Sequence, residues 1–464
     1  MRIELPFPVK YTDISDILLL TEKLIPKDVS ISSYNPTHKS DTYNTSEKKD
    51  ISFSFVALDS RECELNDLFF CLSGKEEHIR AAMEKGAVYA GGRKELLSLA
   101  NYIRNAVNPT TIAITGSVGK TTVKEYIYSV LSEKYRVHKS EGNHNNDIGL
   151  PVSILSMKKD TEYLVLELGT NHPGEIRTLS ECCEPNIVFI TNIGTSHIGN
   201  FGSIENIAKE KLSAVSCAKK NYTLIMNGDD THLTSVKNLT NGKYISVYNS
   251  SSEYKINIIE EDADSTVFEI NGNRLKTKHP GLHMVYAAAM AYAAGTLCGM
   301  SYDEIVLGMS KFRMPPMRQN IYTLRDYTII DDCYNASYES TVCALKILSD
   351  RKIRSGIRTV AVIGDILELG EKGEEIHHMV GESAGKTGLD LLIVFGSFCS
   401  AVADGARASG MKAEAIIQIP TDNHGEIASA VLSHIRVGDT LLFKASRKMK
   451  CEKIIEIIKE SLEP

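Results

Sequence analysis

Thr111-Ile-Ala-Ile-Thr-Gly-Ser-Val-Gly-Lys-Thr-Thr122 decides how this chain is read. A short β-rich apolar run leads into a glycine-bearing turn, then Lys120 and Thr121, then a helical pattern through Lys124, Glu125, Ile127, Val130 and Leu131. The order strand, glycine turn, helix predicts a phosphate-binding loop. Glycines let N–H groups approach a polyphosphate, and the helix N-terminus adds partial positive charge. A lysine neutralises the terminal phosphates, and a threonine hydroxyl reaches magnesium. The fit to G-x-x-x-x-G-K-[ST] is incomplete. Ile114 stands where the first glycine would fall, and the chain offers the shorter Thr115-Gly116-x-x-Gly119-Lys120-Thr121. The competing reading is an ordinary turn between a strand and a helix.

Outward from this stretch, other strands share its habit of ending in polar groups. Tyr163–Leu166 runs into Glu167, and Ile187–Ile190 into Thr191-Asn192 with His197 shortly after. In open parallel α/β sheets, ligands sit beyond the carboxyl ends of strands, so these groups are expected to share one crevice. Glu167 and His197 are candidate magnesium ligands near the phosphates; singly, Glu167 reads better as an N-capping or salt-bridged carboxylate and His197 as a satisfied loop histidine, and their position at strand ends beside a phosphate loop reverses that. Lys211, in Ile207-Ala-Lys-Glu-Lys-Leu212, reads as a solvated helix charge. A further unit begins near Asn320. Its strands Tyr327–Ile330, Thr359–Ile363, Leu391–Val394 and Thr440–Phe443 alternate with helical patterns, as in a Rossmann-like domain. Before the phosphate loop, Ile51–Val56 and Asp67–Leu72 read as strands and His78–Lys85 as a helix, a small α/β unit. Val29–Asp50, rich in Ser, Thr, Asn, Lys and Asp, reads as an elaborated loop. The expected fold is therefore α/β in three domains: 1–107, a central parallel-sheet domain carrying the phosphate loop at 108–318, and 319–464.

The totals agree. A chain of 464 residues exceeds the usual single domain, and 42% hydrophobic with 24% charged residues is a globular composition. A net charge of −7 without a dense basic block argues against a nucleic-acid partner. Ten cysteines without C-x-x-C or zinc spacing point to reduced thiols in a cytoplasmic protein. The N-terminus lacks a signal-peptide core, and the Ala/Gly-rich Met284–Met300 fits a buried helix better than membrane insertion.

Several ordered motifs resemble those of the Mur peptide ligases. They are Thr115–Thr121, Gly142-Asn-His-Asn-Asn-Asp-Ile-Gly-Leu-Pro151, Leu166-Glu-Leu-Gly169 with Gly174-Glu-Ile176, Thr191-Asn-Ile-Gly194 with His197, and Asp331-Asp-Cys-Tyr-Asn-Ala336. Gly364-Asp-Ile-Leu-Glu-Leu-Gly370 with His377, and Lys444-Ala-Ser-Arg447, resemble the branch that adds D-alanyl-D-alanine. The resemblance implies an ATP-dependent amide ligase with an N-terminal UDP-sugar domain, a central ATPase and a C-terminal Rossmann-like domain. Its substrates would be a UDP-muramoyl peptide and D-alanyl-D-alanine, and it would act as a monomer.

Carried over by motif position, Gly116, Ser117, Gly119, Lys120, Thr121 and Thr122 would hold the phosphates of ATP, with Asn146, His283, Arg318, Asp332 and Asn335 around the nucleotide. Thr121, Glu167, His197 and Lys211 would hold Mg2+, Lys211 matching the lysine that the family carbamylates. Lys120, His197 and Lys211 would be catalytic. Asp59, Ser60 and Arg61 match the uridine-side motif. Asn143, Thr170, Asn171, His172, Lys444, Ser446 and Arg447 match acceptor and dipeptide contacts.

Three positions depart from the pattern. Met284 and Ala287 stand where asparagines usually help read adenine; the first-domain loop is contracted to Gly74-Lys-Glu-Glu-His78; and Ala445 replaces a glycine. The alternatives are a ligase of the same superfamily with another acceptor, favoured by the altered first domain, and a non-catalytic nucleotide-binding scaffold. The intact Lys120, Glu167, His197 and Lys211 speak against the scaffold.

Overall fold

The computed structural model describes residues 1–14, 52–235, 242–246, 248 and 252–462, so the polar stretch Val29–Asp50 lies outside the described residues. The first sheet comprises β1 (Arg2–Lys10), β2 (Ser52–Ala57), β3 (Leu68–Phe70) and β4 (Val88–Gly91), in that order, with β1 antiparallel and the rest parallel. β3 is shorter than Asp67–Leu72, because Asp67 turns its carboxylate onto the Arg2 guanidinium and the Glu64 amide. The expected helix begins earlier, at Glu76.

The central sheet has nine strands: β5 (Thr110–Thr115), β6 (Val137–Lys139), β7 (Tyr163–Glu167), β8 (Ile187–Ile190), β9 (Thr223–Asn227), β10 (Lys243–Ser246), β11 (Tyr254–Glu261), β12 (Thr266–Ile270) and β13 (Asn273–Thr277). Their order is β13-β12-β11-β10-β9-β8-β5-β7-β6, parallel from β11 to β6, with β12 and β13 closing one edge antiparallel. Ile112, Ala113 and Ile114 are wholly buried, as a central parallel strand covered on both faces requires. The chain leaves β5 toward β6 on one side and later crosses to β8 on the other. β5 is thus the switch point at which an α/β sheet opens a crevice.

The helix Lys120–Leu131 turns Val123, Tyr126, Ile127, Val130 and Leu131 into this core. The helix Leu282–Leu297 is apolar all round and nearly all buried, the expected fate of Met284–Met300. Among the described residues, no helix is long and apolar enough to cross a membrane.

The third sheet, β14 (Asn320–Leu324), β15 (Tyr327–Asp331), β16 (Thr359–Ile363), β17 (Leu391–Phe395), β18 (Ile416–Ile419) and β19 (Thr440–Lys444), has the order β14-β15-β19-β16-β17-β18. It is parallel except for β14. The chain is thus an α/β protein with three sheets. All ten cysteines are free thiols.

The helix Arg93–Val107 fastens the first unit to the central one. Asn101 Nδ2 donates to the carbonyls of Glu181 and Cys182 and to Glu184 Oε1, and the buried Arg104 pairs with Glu184 at 2.8 Å. Lys219 closes on the same carboxylate. Burial alone would raise the Glu184 pKa, but Lys219, Asn101 and Arg104 outweigh it and hold it at about 2. Glu184→Gln is expected to cost about 3 kcal/mol at neutral pH, because it leaves Arg104 buried without its counter-ion. The folded value lies below the ordinary 4.5, so the contribution is complete above that pH and fades as pH falls toward 2. Urea melts of both proteins at pH 7 and pH 3 check it; an equal gap at both would refute the ion-pair origin.

Candidate active site

The phosphate loop spans Gly116 to Gly119, between β5 and the helix that Lys120 begins. Gly116 has φ +146°, and a Cβ there would fall 1.9 Å from the Thr191 hydroxyl oxygen. That hydroxyl donates to the Val118 carbonyl at 2.6 Å, while the Ser117 and Val118 amides donate to Asn192 at 3.0 and 2.9 Å. The end of β8 therefore shapes the loop. Gly116→Ala should displace it, and a misplacement of about 1 Å lowers ATP-dependent phosphate release roughly a hundredfold. A steady-state rate within twofold of the parent would contradict this.

Lys120 Nζ folds over the loop and donates to the Gly116 carbonyl at 2.9 Å. Thr121 Oγ1 donates to Glu167 Oε2 at 2.8 Å, and Asn145 Nδ2 donates to Glu167 Oε1 at 2.9 Å. Burial would push Glu167 up, but Lys120, Lys124 and Arg318 hold it below its ordinary value. It remains a carboxylate. Lys120 lies within the electrostatic reach of Glu167, Arg318, His197 and Lys211.

Lys211 corrects the surface reading. The residue is 3% exposed, and burial together with the Lys120 charge drives its amine well below its ordinary range. Its neighbour Glu210 is also buried and accepts from the Gly174 and Ile176 amides, fixing the helix Ile204–Leu212 against the loop after β7. His197, at φ +60°, turns Nδ1 onto the Glu368 carboxylate. Burial lowers its pKa, with Lys120 and Lys211 adding to the effect and Glu368 opposing it.

The nucleotide-side residues gather at the junction with the third sheet. Arg318 sits between two non-glycine residues of positive φ, Met317 and Gln319, and its guanidinium lies 3.9 Å over the Tyr334 ring. Asp332 accepts from the Gln319 amide and pairs with the buried Lys444, whose Nζ also donates to the Asn335 carbonyl. Asn335 Oδ1 accepts from the Arg447 amide. His283 bridges Gln319 Oε1 at 2.6 Å and Cys343 Sγ at 3.1 Å. Although burial favours the neutral ring, those two partners raise its pKa.

Other positions play different parts. Asn146 Oδ1 accepts from the Ile148 and Gly149 amides, and Asn143 is exposed; Asn145, not singled out from sequence, is the loop asparagine on Glu167. Thr170 and the amides of Asn171 and His172 converge on Glu175. Asp59 and Arg61 form a ring with each other at the end of β2, beside Ser60. Ser446 Oγ accepts from the Leu367 amide, and Thr122 is buried in the first turn of its helix. Met284, Ala287 and Ala445 are all buried in the core, the last beside Gly364. The Ala445 methyl is absorbed by packing.

Among the described residues, no three His, Cys, Asp or Glu side chains form a ready metal cage. Hydroxyl and carboxylate oxygens in contact at a phosphate loop suit magnesium, which keeps waters and takes substrate phosphates as ligands. The donor set therefore fits that ion.

Comparison with known proteins gives the family of the chain. The Mur ligase middle domain matches residues 114–295, and the Mur ligase glutamate ligase domain matches 313–447. The chain is 32% identical over 432 residues to the UDP-N-acetylmuramoyl-tripeptide--D-alanyl-D-alanine ligase of Bacillus subtilis, covering 88% of this chain and 93% of that protein. It is 27% identical over 450 residues to the Escherichia coli enzyme of the same name, covering 89% and 95%. MurF from Acinetobacter baumannii superposes with a TM-score of 0.82 at 25% identity, over 99% of this chain and 100% of that one. The Thermotoga maritima MurF ligase in complex with ADP gives 0.75 at 28% identity, over 88% and 97%. The chain belongs to the Mur ligase family.

Proposed function

We propose that this protein is an ATP-dependent ligase that joins D-alanyl-D-alanine to UDP-N-acetylmuramoyl tripeptide in peptidoglycan precursor synthesis, in the cytoplasm and as a monomer. The observation that carries the reading is the placement of Lys120. It lies over the phosphate loop, within the field of Glu167, His197, Lys211 and Arg318, in a chain that matches ligases of that name along most of its length.

The tripeptide carboxylate attacks the γ-phosphoryl group of ATP, giving an acyl phosphate and ADP; the dipeptide amine then attacks the acyl carbon and phosphate leaves. Lys120 and the amides of Gly116–Thr122 offset charge on the transferring group. Thr121, Glu167, His197 and a carbamylated Lys211 would hold magnesium, which would supply positive charge against the phosphoryl oxygens. Asp332 and Asn335 take the ribose and base side with His283, and Arg318 crosses to the phosphates. Lys444, Ser446 and Arg447 face the dipeptide, and Thr170–His172 with Asn143 the acceptor peptide. Asp59–Arg61 and the domain 1–107 take the UDP-sugar, with 108–318 for ATP and 319–464 closing over it.

Phosphate release measured with UDP-muramoyl tripeptide, with and without D-alanyl-D-alanine, tests the reading. Release that needs both, with pentapeptide found by mass, is expected. No release with these substrates would replace it with another acceptor, and ATP binding without release on any acceptor would replace it with a scaffold.

A further inference from the structure

Glu368 has no part in the chemistry above, yet it reaches from the third-sheet domain to a candidate magnesium ligand. It stands in the loop Gly364–Gly370 after β16, and its carboxylate meets His197 Nδ1. Both residues hold left-handed backbones, φ +67° and +60°, which non-glycine residues rarely adopt. Such conformations persist only where the surroundings impose them. Here the surroundings are explicit. The Gly199 amide donates to the Glu368 carbonyl, and a Cβ on Gly199 would fall 2.7 Å from the Gly370 nitrogen. A Cβ on Gly370 would in turn fall 3.1 Å from the Gly199 Cα, so two glycines let these backbones pass without a side chain between them. On one side, His377 Nε2 accepts from the Ile366 amide and Ser446 Oγ from the Leu367 amide, setting the Glu368 loop. On the other, the Thr195 amide donates to Glu339 Oε1 at 2.6 Å, holding the His197 loop from the same domain.

An imidazole that gives its Nδ1 proton to a carboxylate is fixed in ring orientation and tautomer, and its Nε2 lone pair is the one left for a metal. We propose that Glu368 is a positioning residue: it presents Nε2 of His197 to magnesium, and because it belongs to the third-sheet domain, it completes the metal site only when that domain is seated. The inference rests on the reading of His197 as a ligand. It makes magnesium affinity depend on a residue that never touches the ion.

The test uses the full chain with Mn2+ in place of magnesium and a non-hydrolysable ATP analogue, read by pulsed electron paramagnetic resonance for coupling to an imidazole nitrogen. The parent protein should show that coupling and His197→Ala should lack it. Glu368→Ala should lose most of it and weaken Mn2+ binding about 10- to 100-fold, the usual effect of removing such a partner. Glu368→Gln, whose amide oxygen still accepts from Nδ1–H, should restore both to within a few fold. Arg351→Ala, which removes the ion pair to Asp264 elsewhere on the same domain contact, should leave the coupling in place. Coupling and affinity unchanged in Glu368→Ala, or lost as fully in Glu368→Gln as in Glu368→Ala, would overturn the role of Glu368 while leaving His197 a ligand. Absence of imidazole coupling from the parent protein, or its persistence in His197→Ala, would remove the ligand reading and the inference together.

Discussion

Lys120→Ala is expected to lower acceptor-dependent phosphate release by about a thousandfold while leaving the melting temperature within a few degrees of the parent. The magnitude follows from what the amine would face. In a water-poor site, one preorganised cation against a transferring phosphoryl group contributes several kcal/mol to the transition state, and each 1.36 kcal/mol is tenfold in rate. The small effect on stability follows from its contacts. Nζ donates to the Gly116 and Ser117 carbonyls of its own loop, and burial holds the ammonium below its ordinary pKa, so the folded protein carries a cost there that alanine removes. The loss should fall on kcat, with the KM for the acceptor little changed, since the amine is assigned to the transferring group. Initial-rate kinetics with thermal melts decide it. A variant that keeps full activity would sink the phosphate-loop assignment, and one that unfolds would show the lysine to be structural.

The strands that end at the crevice were legible because parallel strands covered on both faces must be apolar, so the first polar residue after each marks a carboxyl end. β5, β7 and β8 therefore delivered Gly116–Thr121, Glu167 and Thr191-Asn192 together. β11 and β13 leave only a weak signal in the sequence, because both are half exposed and charged or amide side chains interrupt their apolar positions, and β13 is the edge of its sheet. β14 and β18, the outer strands of the third sheet, were missed for the same reason. Lys211 was illegible from composition, because a lysine on an amphipathic helix reads as solvated until tertiary packing buries that face. Asn145 could not be told from Asn143 and Asn146 without the turn that points one of the three at Glu167. Glu368 lies within the motif Gly364–Gly370, but its partner is 171 residues away in sequence.

Lys211→Ala should reduce the ligase rate by a similar factor, and short carboxylic acids such as formate or acetate should restore part of it. A lysine at its ordinary pKa is an ammonium at neutral pH and does not react with carbon dioxide. The Lys211 amine is 3% exposed and lies in the field of Lys120, and both burial and that charge favour its unprotonated form. Its lone pair can then attack the carbon of CO2, forming an N–C bond and releasing a proton, so that a neutral group becomes an anion. A carbamate at Lys211 would reverse the unfavourable interaction with Lys120 and supply oxygen donors that fit magnesium. The sign of the pH dependence follows. Because the folded amine titrates well below 10.5, its reactive form is present at pH values where an exposed lysine would be fully charged, and it is lost as pH falls through the depressed value. Activity of the parent protein should therefore decline when dissolved CO2 is stripped and recover when bicarbonate is added. Lys211→Ala, rescued by acetate, should not respond to bicarbonate. A variant with an unaffected rate would leave Lys211 only a buried packing role. A variant whose loss no carboxylate relieves would keep the residue in the site as a free amine.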